Sequence, residues 1–195
     1  MKLPEILKRD YIQTAIMIIA VILAVLIFWY GLSFAFRTEN PILAVASGSM
    51  EPVLYKGDLI LIEGLQNAAD IQVGTKDSEH PGDIIVFHRY HGSNNELIVH
   101  RAVEKIDNGD GTYSFKTWGD NNDYADGGLV KESDVVGRYL GIKVPWLGNI
   151  ALFFAPFEAK VAFVALWIVV LVILELVPLA RKRFKRDDAE AILYK

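Results

Sequence analysis

The chain has 195 residues, of which 52% are hydrophobic, and its mean hydropathy of +0.27 is higher than that of an ordinary water-soluble domain. We therefore expect part of the chain to lie in lipid and the rest to form about one folded core. The absence of cysteine excludes disulfides, thiolate metal sites and thiol catalysis. A net charge of −4, without basic clusters interleaved with aromatic residues in the middle of the chain, argues against nucleic acid as a partner.

The first predicted element is a transmembrane helix at residues 11–36, preceded by a short cytoplasmic N-terminus at residues 1–10. These 26 residues carry no charge, and about 20 apolar residues suffice to cross a bilayer. A cleaved secretory signal peptide is the alternative. The apolar stretch is much longer than a typical signal-peptide core, however, and no clear small-residue cleavage site follows it. We therefore expect the helix to remain as a membrane anchor.

A second transmembrane helix is predicted at residues 161–180, interrupted only by Glu175 and followed by a basic cytoplasmic tail at residues 181–195. Both ends of the chain are rich in Lys and Arg, so the positive-inside rule places both termini in the cytoplasm. Residues 38–160 carry 10 Lys/Arg against 18 Asp/Glu and are expected outside the cytoplasm. The apolar segment 144–160 either dips into the outer membrane interface or belongs to the core of the outer domain.

Between the two spans, residues 37–143 are predicted to form an extracytoplasmic, mainly antiparallel β domain. Short segments rich in β-branched or aromatic residues alternate there with turn residues; they are 41–46, 57–62, 83–87, 97–103, 112–118 and 135–142. The run from Asp107 to Gly111 predicts a hairpin turn, because Asn and Gly tolerate positive φ. Residues 63–82 are predicted to be a polar surface loop.

The first candidate for chemistry is the segment Ser47-Gly48-Ser49-Met50-Glu51-Pro52, which directly follows a predicted strand. A nucleophilic serine requires a sharply turned, exposed backbone with donors nearby for an oxyanion. Gly48 permits such a turn. Taken alone, a serine pair with glycine and proline is more often an ordinary loop than a catalytic one.

The second candidate is His100, which strand alternation places on one face with Ile98 and Ala102. A histidine on a rigid strand can act as a general base. A half-exposed strand histidine without a function is the competing interpretation. Three further histidines in or beside predicted loops compete as bases: His80, His88 and His91.

The third candidate is the acidic loop from Trp118 to Gly128, in which one carboxylate could orient a histidine base. An EF-hand calcium loop is the competing interpretation, but it requires Asp or Asn at its fifth position and Gly at its sixth. Counted from Asp120, those positions are Tyr124 and Ala125, so the calcium motif is absent. A solvated turn remains an alternative, and the residues leave open which of Asp120, Asp123 and Asp126 is used.

Together these segments resemble the signal peptidase I family in its archaeal and endoplasmic-reticulum form. Four blocks match in the family's order and spacing: the nucleophile box Ser47–Pro52, the central strand Asp83–Phe87, the base strand Val99-His100-Arg101, and the acidic box Gly119-Asp120-Asn121-Asn122 with Asp126. The resemblance extends from the first anchor to about Gly141. The bacterial branch of the family has a lysine as base where this branch has histidine, so His100 indicates the histidine branch.

The resemblance implies a membrane-bound serine endopeptidase that removes N-terminal signal peptides from translocated preproteins and cuts after small residues. It implies Ser49 as nucleophile, His100 as general base and Asp126 as the acid that orients the base. The Ser47 hydroxyl and the Ser49 N–H would bind the oxyanion, and Asp120 would have a supporting role. The resemblance implies neither a metal nor an organic cofactor. The implied partners are secretory preproteins, membrane lipid and the translocation machinery, with no nucleic acid.

Two other functions compete with this one. The first is an inactive membrane subunit or binding module of a signal-peptide-processing complex, which is disfavoured because the chain retains Ser49 and His100. The second is a self-cleaving regulator of related fold with a Ser-Lys pair. Such a protein would have a lysine base and a cytoplasmic DNA-binding part, and this chain has neither feature.

Overall fold

A computed structural model describes residues 5–91, 94–163, 165–167, 169–170 and 173 of the chain. The chain divides into two units, residues 1–149 and residues 150–195. The long first helix and every strand that the structure describes belong to the first unit.

Helix α1 runs from Glu5 to Phe36. Within the described residues it is the one helix long and apolar enough to cross a membrane, through its segment Ala15–Phe36, and none of that segment is buried in the protein. At 1.5 Å per residue, its 22 residues extend about 33 Å, slightly more than the hydrocarbon thickness of a bilayer. The predicted span at residues 11–36 lies within α1, which begins earlier than predicted.

The first unit contains a seven-stranded antiparallel sheet in the order β1-β2-β7-β3-β4-β5-β6. Its strands are β1 (Ile42–Ala44), β2 (Leu59–Glu63), β3 (Ile84–His91), β4 (Asn94–Asp107), β5 (Tyr113–Trp118), β6 (Leu129–Lys131) and β7 (Val135–Val144). The last strand returns to pair with both β2 and β3. A short helix α2 (Gly148–Phe153) follows the sheet. The predicted antiparallel β domain is therefore confirmed.

Strand β3 lies at the centre of the sheet and is buried on both faces. Ile84 and Val86 belong to one hydrophobic core, and Ile85 and Phe87 belong to a second one. Successive side chains of a strand point to opposite faces, so a continuous apolar run predicts a strand covered on both sides. This double cover gives the neighbouring strand β4, which carries His100, a rigid support.

The predicted hairpin between β4 and β5 is present. The N–H of Asn108 donates to the carbonyl of Thr112 across the turn. Gly109 and Gly111 have φ angles of 78° and 86°, which L side chains rarely adopt. The glycine and asparagine signal in the sequence thus fixed the position of this turn correctly.

Two details of the sheet and its loops differ from the sequence prediction. Strand β6 was not predicted, because three residues are too few to show an alternating pattern. The segment 63–82 is not simply a polar surface loop, since Ala68 and Ile71 are buried in the second core. The ammonium group of Lys105 donates to the carbonyls of Ala69 and Ile71 at 2.5 and 3.0 Å and so ties the segment to β4.

The predicted second span at residues 161–180 lies mostly outside the described residues. Its described positions, 161–163, 165–167, 169–170 and 173, are helical. The predicted tail at residues 181–195 lies wholly outside the described part. The second span and the tail therefore remain predictions.

Candidate active site

Three side chains from distant parts of the sequence form a continuous chain of hydrogen bonds. Ser49 lies in the loop after β1, His100 lies on β4, and Asp126 lies in the loop after β5. The distance from Ser49 Oγ to His100 Nε2 is 3.0 Å, and the distance from His100 Nδ1 to Asp126 Oδ2 is 2.6 Å. Each distance is within hydrogen-bonding range. The structure thus brings together the serine, the histidine and one of the three aspartates that the sequence singled out.

The sheet determines the position and burial of His100. His100 lies opposite Ile85 in the register of β3 and β4, and its ring meets that of Phe87 edge to face with centroids 6.5 Å apart. As predicted from alternation, His100 shares a face with Ile98 and Ala102, which pack in the second core. Only 5% of His100 is exposed, so a group bound to its Nε2 is largely shielded from water.

The serine loop presents two hydroxyl groups side by side. Ser49 is half-buried and Ser47 is exposed, and their Oγ atoms are 3.2 Å apart. The next residue, Met50, is buried in the first core together with Leu54. Anchoring by Met50 and Leu54 fixes the loop while leaving the hydroxyls accessible.

The Asp126 carboxylate has two partners in addition to His100. The Thr117 hydroxyl donates to Asp126 Oδ2 at 2.6 Å, and the Arg89 guanidinium lies 3.2 Å from Oδ1. Burial by itself raises the pKa of Asp126, but the hydrogen bonds from His100, Thr117 and Arg89 outweigh that effect and lower the pKa from 3.8 to about 2. The carboxylate is therefore ionised at any pH well above 2, and it can stabilise a positive charge on His100.

Asp120 occupies a different position and binds a different partner. Both of its carboxylate oxygens accept from Arg101, at 2.8 Å from Nε and 2.6 Å from Nη2, and both side chains are buried. Arg101 also donates to the carbonyl of Gly82 at 2.6 Å. Asp123, in contrast, is exposed and makes no hydrogen bond or ion pair with any residue that the structure describes. Of the three aspartates, Asp126 contacts His100, and Asp120 supports the loop from the other face of β4.

We expect Asp120→Asn to lower stability more than it lowers the chemistry of the folded enzyme. The substitution leaves the buried Arg101 charge without its counter-ion, and breaking a buried pair in this way costs about 3 kcal/mol or more. The measurement is the thermal unfolding midpoint in detergent, with activity expressed per folded molecule. Asp123→Asn is the control, because its side chain is exposed. An unchanged midpoint for Asp120→Asn would contradict the supporting role.

Gly119 allows the acidic loop to approach the other two segments closely. A Cβ atom at this position would lie 2.7 Å from the Ser49 carbonyl oxygen and 2.9 Å from His100 Nε2. Such contacts are too short for any side chain. Glycine at this position thus lets the loop pass directly against the serine and the histidine.

A groove of about 380 Å³ opens beside Ser49 and His100. One wall consists of residues of β1 and the segment after it, and the other consists of residues of β4; the lining includes Leu43, Ala44, Val45, Ala46, Leu97, Ile98 and Val99. Its apolar lining and its length along two strands suit an extended peptide. The reactive hydroxyl therefore faces a cleft in which a peptide bond can lie.

Two residues of the site were missed in the sequence. Thr117 was seen only as the end of a predicted strand, although a polar residue two positions after the buried Phe115 lies on the same buried face and needs a partner. Arg89 follows one of the competing histidines, His88, and nothing in the local sequence marks it as part of the site. Its role depends on the approach of the acidic loop to β3, which local sequence does not encode.

The competing interpretations can now be compared with the geometry. His80 is exposed, His88 and His91 lie on β3, and His100 is the histidine that the structure shows hydrogen-bonded to Ser49. The described part of the chain has no group of three or more metal-ligating side chains. A serine, a histidine and an aspartate joined by hydrogen bonds beside an open groove are the arrangement that defines the serine hydrolases.

Comparison with known proteins narrows this class. No family model matches the chain. The chain is 32% identical to the signal peptidase complex catalytic subunit SEC11C of Rattus norvegicus over 166 residues, which cover 81% of this chain and 80% of that protein. It is also 32% identical to the human SEC11C over 152 residues, covering 74% and 73% of the two chains. The SEC11 subunit of Lachancea thermotolerans is 34% identical over 135 residues, covering 64% of this chain and 72% of that protein.

The chain therefore belongs to the signal peptidase I family, in its endoplasmic-reticulum form. The family resemblance inferred from the four sequence blocks is confirmed. Membership of this family makes the protein a serine protease.

Proposed function

We propose that the protein is a membrane-anchored signal peptidase that removes N-terminal signal peptides from translocated preproteins and cuts after small residues. The observation that carries the proposal is the hydrogen-bonded series Ser49, His100 and Asp126 beside a peptide-sized groove, in a chain of this family. Incubation of the detergent-purified protein with a preprotein, followed by mass spectrometry of the products, tests it. A preprotein that stays intact, or one cut at a site other than the signal-peptide junction, would reject the proposal.

In the proposed mechanism, His100 Nε2 takes the proton of the Ser49 hydroxyl as Ser49 Oγ attacks the scissile carbonyl carbon. The Ser49 N–H and the Ser47 hydroxyl, whose Oγ lies 3.2 Å from Ser49 Oγ, stabilise the negative oxygen of the tetrahedral intermediate. His100 then gives the proton to the leaving amine, and an acyl-enzyme remains. A water activated by His100 releases the new carboxylate and restores Ser49. The ionised Asp126 stabilises the imidazolium during both steps.

The substrate is proposed to bind as an extended strand along the groove. Among the strands that the structure describes, β1 is at the edge of the sheet and pairs with β2 alone. On the opposite wall, β5 pairs with β4 only from Arg101 onward, so residues 97–99 have no partner on that side among the described strands. Unpaired strand edges offer main-chain donors and acceptors to a peptide, and this is how β-augmentation binds its ligands.

Small residues are expected at the first and third positions before the cut. Alternate side chains of an extended peptide point to the same side, and a shallow pocket excludes a large side chain by steric clash. In a peptide series with Ala, Ser, Leu, Phe or Arg at each position, we expect kcat/KM to fall at least about 100-fold from Ala to Phe or Arg. The second position before the cut is the internal control and is expected to vary much less. Efficient cleavage after Phe or Arg would contradict this specificity.

The membrane arrangement is a further part of the proposal. We propose a cell-membrane protein with two spans, at residues 11–36 and 161–180. Residues 37–143 would lie outside the cell, and both ends of the chain, residues 1–10 and 181–195, would lie in the cytoplasm. The segment Ala15–Phe36 of α1, none of which is buried in the protein, supports the first span. The exposed side chains of Ile142, Val144, Trp146 and Leu147 support insertion of the segment 144–160 into the outer interface, next to membrane lipid.

Protease accessibility tests this topology. Protease added outside spheroplasts is expected to cut in the segment 63–82, within its mostly exposed loop at residues 72–81, while a tag fused after Lys195 stays protected until the membrane is lysed. Digestion of the tag in lysed spheroplasts is the control, because it shows that the protease can cut the tag once it has access. A tag that is digested from outside, with the loop protected, would require the opposite orientation.

A further inference from the structure

Asn121 forms two hydrogen bonds to the main chain around Ser49. Its side-chain amide donates to the Gly48 carbonyl at 3.1 Å, and its backbone N–H donates to the Ser49 carbonyl at 2.8 Å. These two carbonyls belong to the peptide units immediately before and after Ser49. A single residue of the acidic loop thus fixes the main chain on both sides of the serine.

The first of these peptide units also contains the Ser49 N–H. The carbonyl and the N–H of a trans peptide point in opposite directions, so a bond that fixes the Gly48 carbonyl also fixes the direction of the Ser49 N–H. The same carbonyl accepts from the N–H of Glu51 at 3.2 Å. Among the residues that the structure describes, the Ser49 N–H itself donates to none. The peptide is therefore held by its carbonyl, and its N–H is left available.

Glycine at position 48 restrains the next peptide unit less than another residue would. A glycine tolerates φ and ψ values that other residues do not, so the peptide unit that follows it rotates more freely than it would after any other residue. An amide bound to the carbonyl removes that freedom. It also polarises the peptide, because hydrogen bonds in series strengthen one another, and the N–H becomes a better donor.

We propose that Asn121 is a positioning residue for the oxyanion site: it fixes the Gly48–Ser49 peptide so that the Ser49 N–H meets the negative oxygen of the transition state. This inference rests on the proposed function, in which the Ser49 N–H is an oxyanion donor. The side chain of Asn121 is exposed and does not belong to either core. We therefore expect its amide to act on the orientation of the peptide more than on the stability of the fold.

Two variants separate the hydrogen bond from the shape of the side chain. Asn121→Ala removes the amide, and Asn121→Asp keeps the shape but replaces the donor by an acceptor; both retain the backbone bond. Complete loss of one oxyanion donor costs about 100- to 1000-fold in kcat, so a donor that is only misdirected is expected to cost about 10- to 100-fold. Both variants should show this fall with KM changed by less than about twofold, since the ground state does not use the oxyanion bond.

The matched controls are Asn149→Ala and Asn149→Asp. Asn149 is an asparagine whose amide donates to a backbone carbonyl, that of Trp146, at 3.0 Å, and it does not line the groove. These controls should keep wild-type kcat. Binding of a peptide aldehyde, which forms a tetrahedral adduct with the serine, should weaken in the Asn121 variants by the same factor as kcat/KM. An active Asn121→Asp would show that shape suffices and would overturn the inference.

Hydrogen exchange adds a measurement that does not require activity. We expect faster deuterium uptake in a peptide covering residues 48–54 of Asn121→Ala than in wild type, and no change there in Asn149→Ala, because Glu51 loses a fixed acceptor. Unchanged uptake together with unchanged kcat in Asn121→Ala would overturn this inference and leave the proposed function standing. A lower unfolding midpoint with unchanged kcat per folded molecule also overturns it, since the residue would then be merely structural. A wild-type protein that cleaves no preprotein, or a fully active Ser49→Ala, overturns the proposed function instead.

Discussion

Replacement of Ser49 or His100 by alanine is expected to reduce kcat by about 10⁶-fold, to the level of background hydrolysis. Ser49 Oγ is the proposed nucleophile, and His100 Nε2, 3.0 Å away, is the proposed base hydrogen-bonded to it. Neither group can act without the other, so the double variant should be no slower than either single variant. The measurement is single-turnover cleavage of a preprotein at equal protein concentration.

The controls must separate loss of chemistry from loss of fold. Ser49 is half-buried, and Ser49→Ala should keep the wild-type unfolding midpoint. His100 is buried and pairs with Asp126, so His100→Gln, which nearly preserves the volume, is needed beside His100→Ala. Activity above one per cent of wild type in a folded Ser49→Ala or His100→Gln would reject the assignment. Losses that multiplied in the double variant would show that the two groups do not act as a unit.

The second large effect is expected for Asp126→Asn, with a loss of about 10⁴-fold in kcat. An asparagine in this position can donate to His100 Nδ1 and thereby favours the tautomer that places a proton on Nε2, where the base must be free. It also removes the negative charge that stabilises the imidazolium. The pKa of Asp126 is held at about 2, so the carboxylate is ionised in the wild-type enzyme at any working pH.

The other two aspartates are the comparison for this effect. Asp123→Asn should stay within about twofold of wild type, because its side chain is exposed and has no partner among the described residues. Asp120→Asn should act mainly on stability, as argued from its pair with Arg101. Rates of the three variants at equal folded concentration distinguish the carboxylates. An active Asp126→Asn beside an inactive Asp123→Asn would show that the acid has been chosen wrongly.

Much of the site was predictable because its reactive residues lie in short, local sequence patterns. The Ser-Gly-Ser box, the histidine on an alternating strand and the Gly-Asp-Asn-Asn box each combine a reactive group with the backbone it requires. Alternation alone gave the face of His100, since the side-chain period of a strand is two. The order and spacing of the boxes then gave the family, and the similarity to the SEC11 subunits confirms it. The catalytic roles of the individual residues remain predictions.

The sequence by itself determined the apolar first helix, the antiparallel β class, the hairpin at Gly109 and Gly111, and the small set of residues able to do the chemistry. The residues alone left open which of the three aspartates reaches His100; the family resemblance implied Asp126, and only the tertiary structure shows its carboxylate 2.6 Å from His100 Nδ1. The N–H of Asp126 donates to the carbonyl of Thr117 at 2.9 Å, so the loop folds back on β5 and delivers that carboxylate to the histidine. The same approach of the loop brings the Asp126 carboxylate to its other two partners, Thr117 and Arg89. Local sequence does not encode this approach, because the position of a loop against a neighbouring strand depends on how the whole sheet packs.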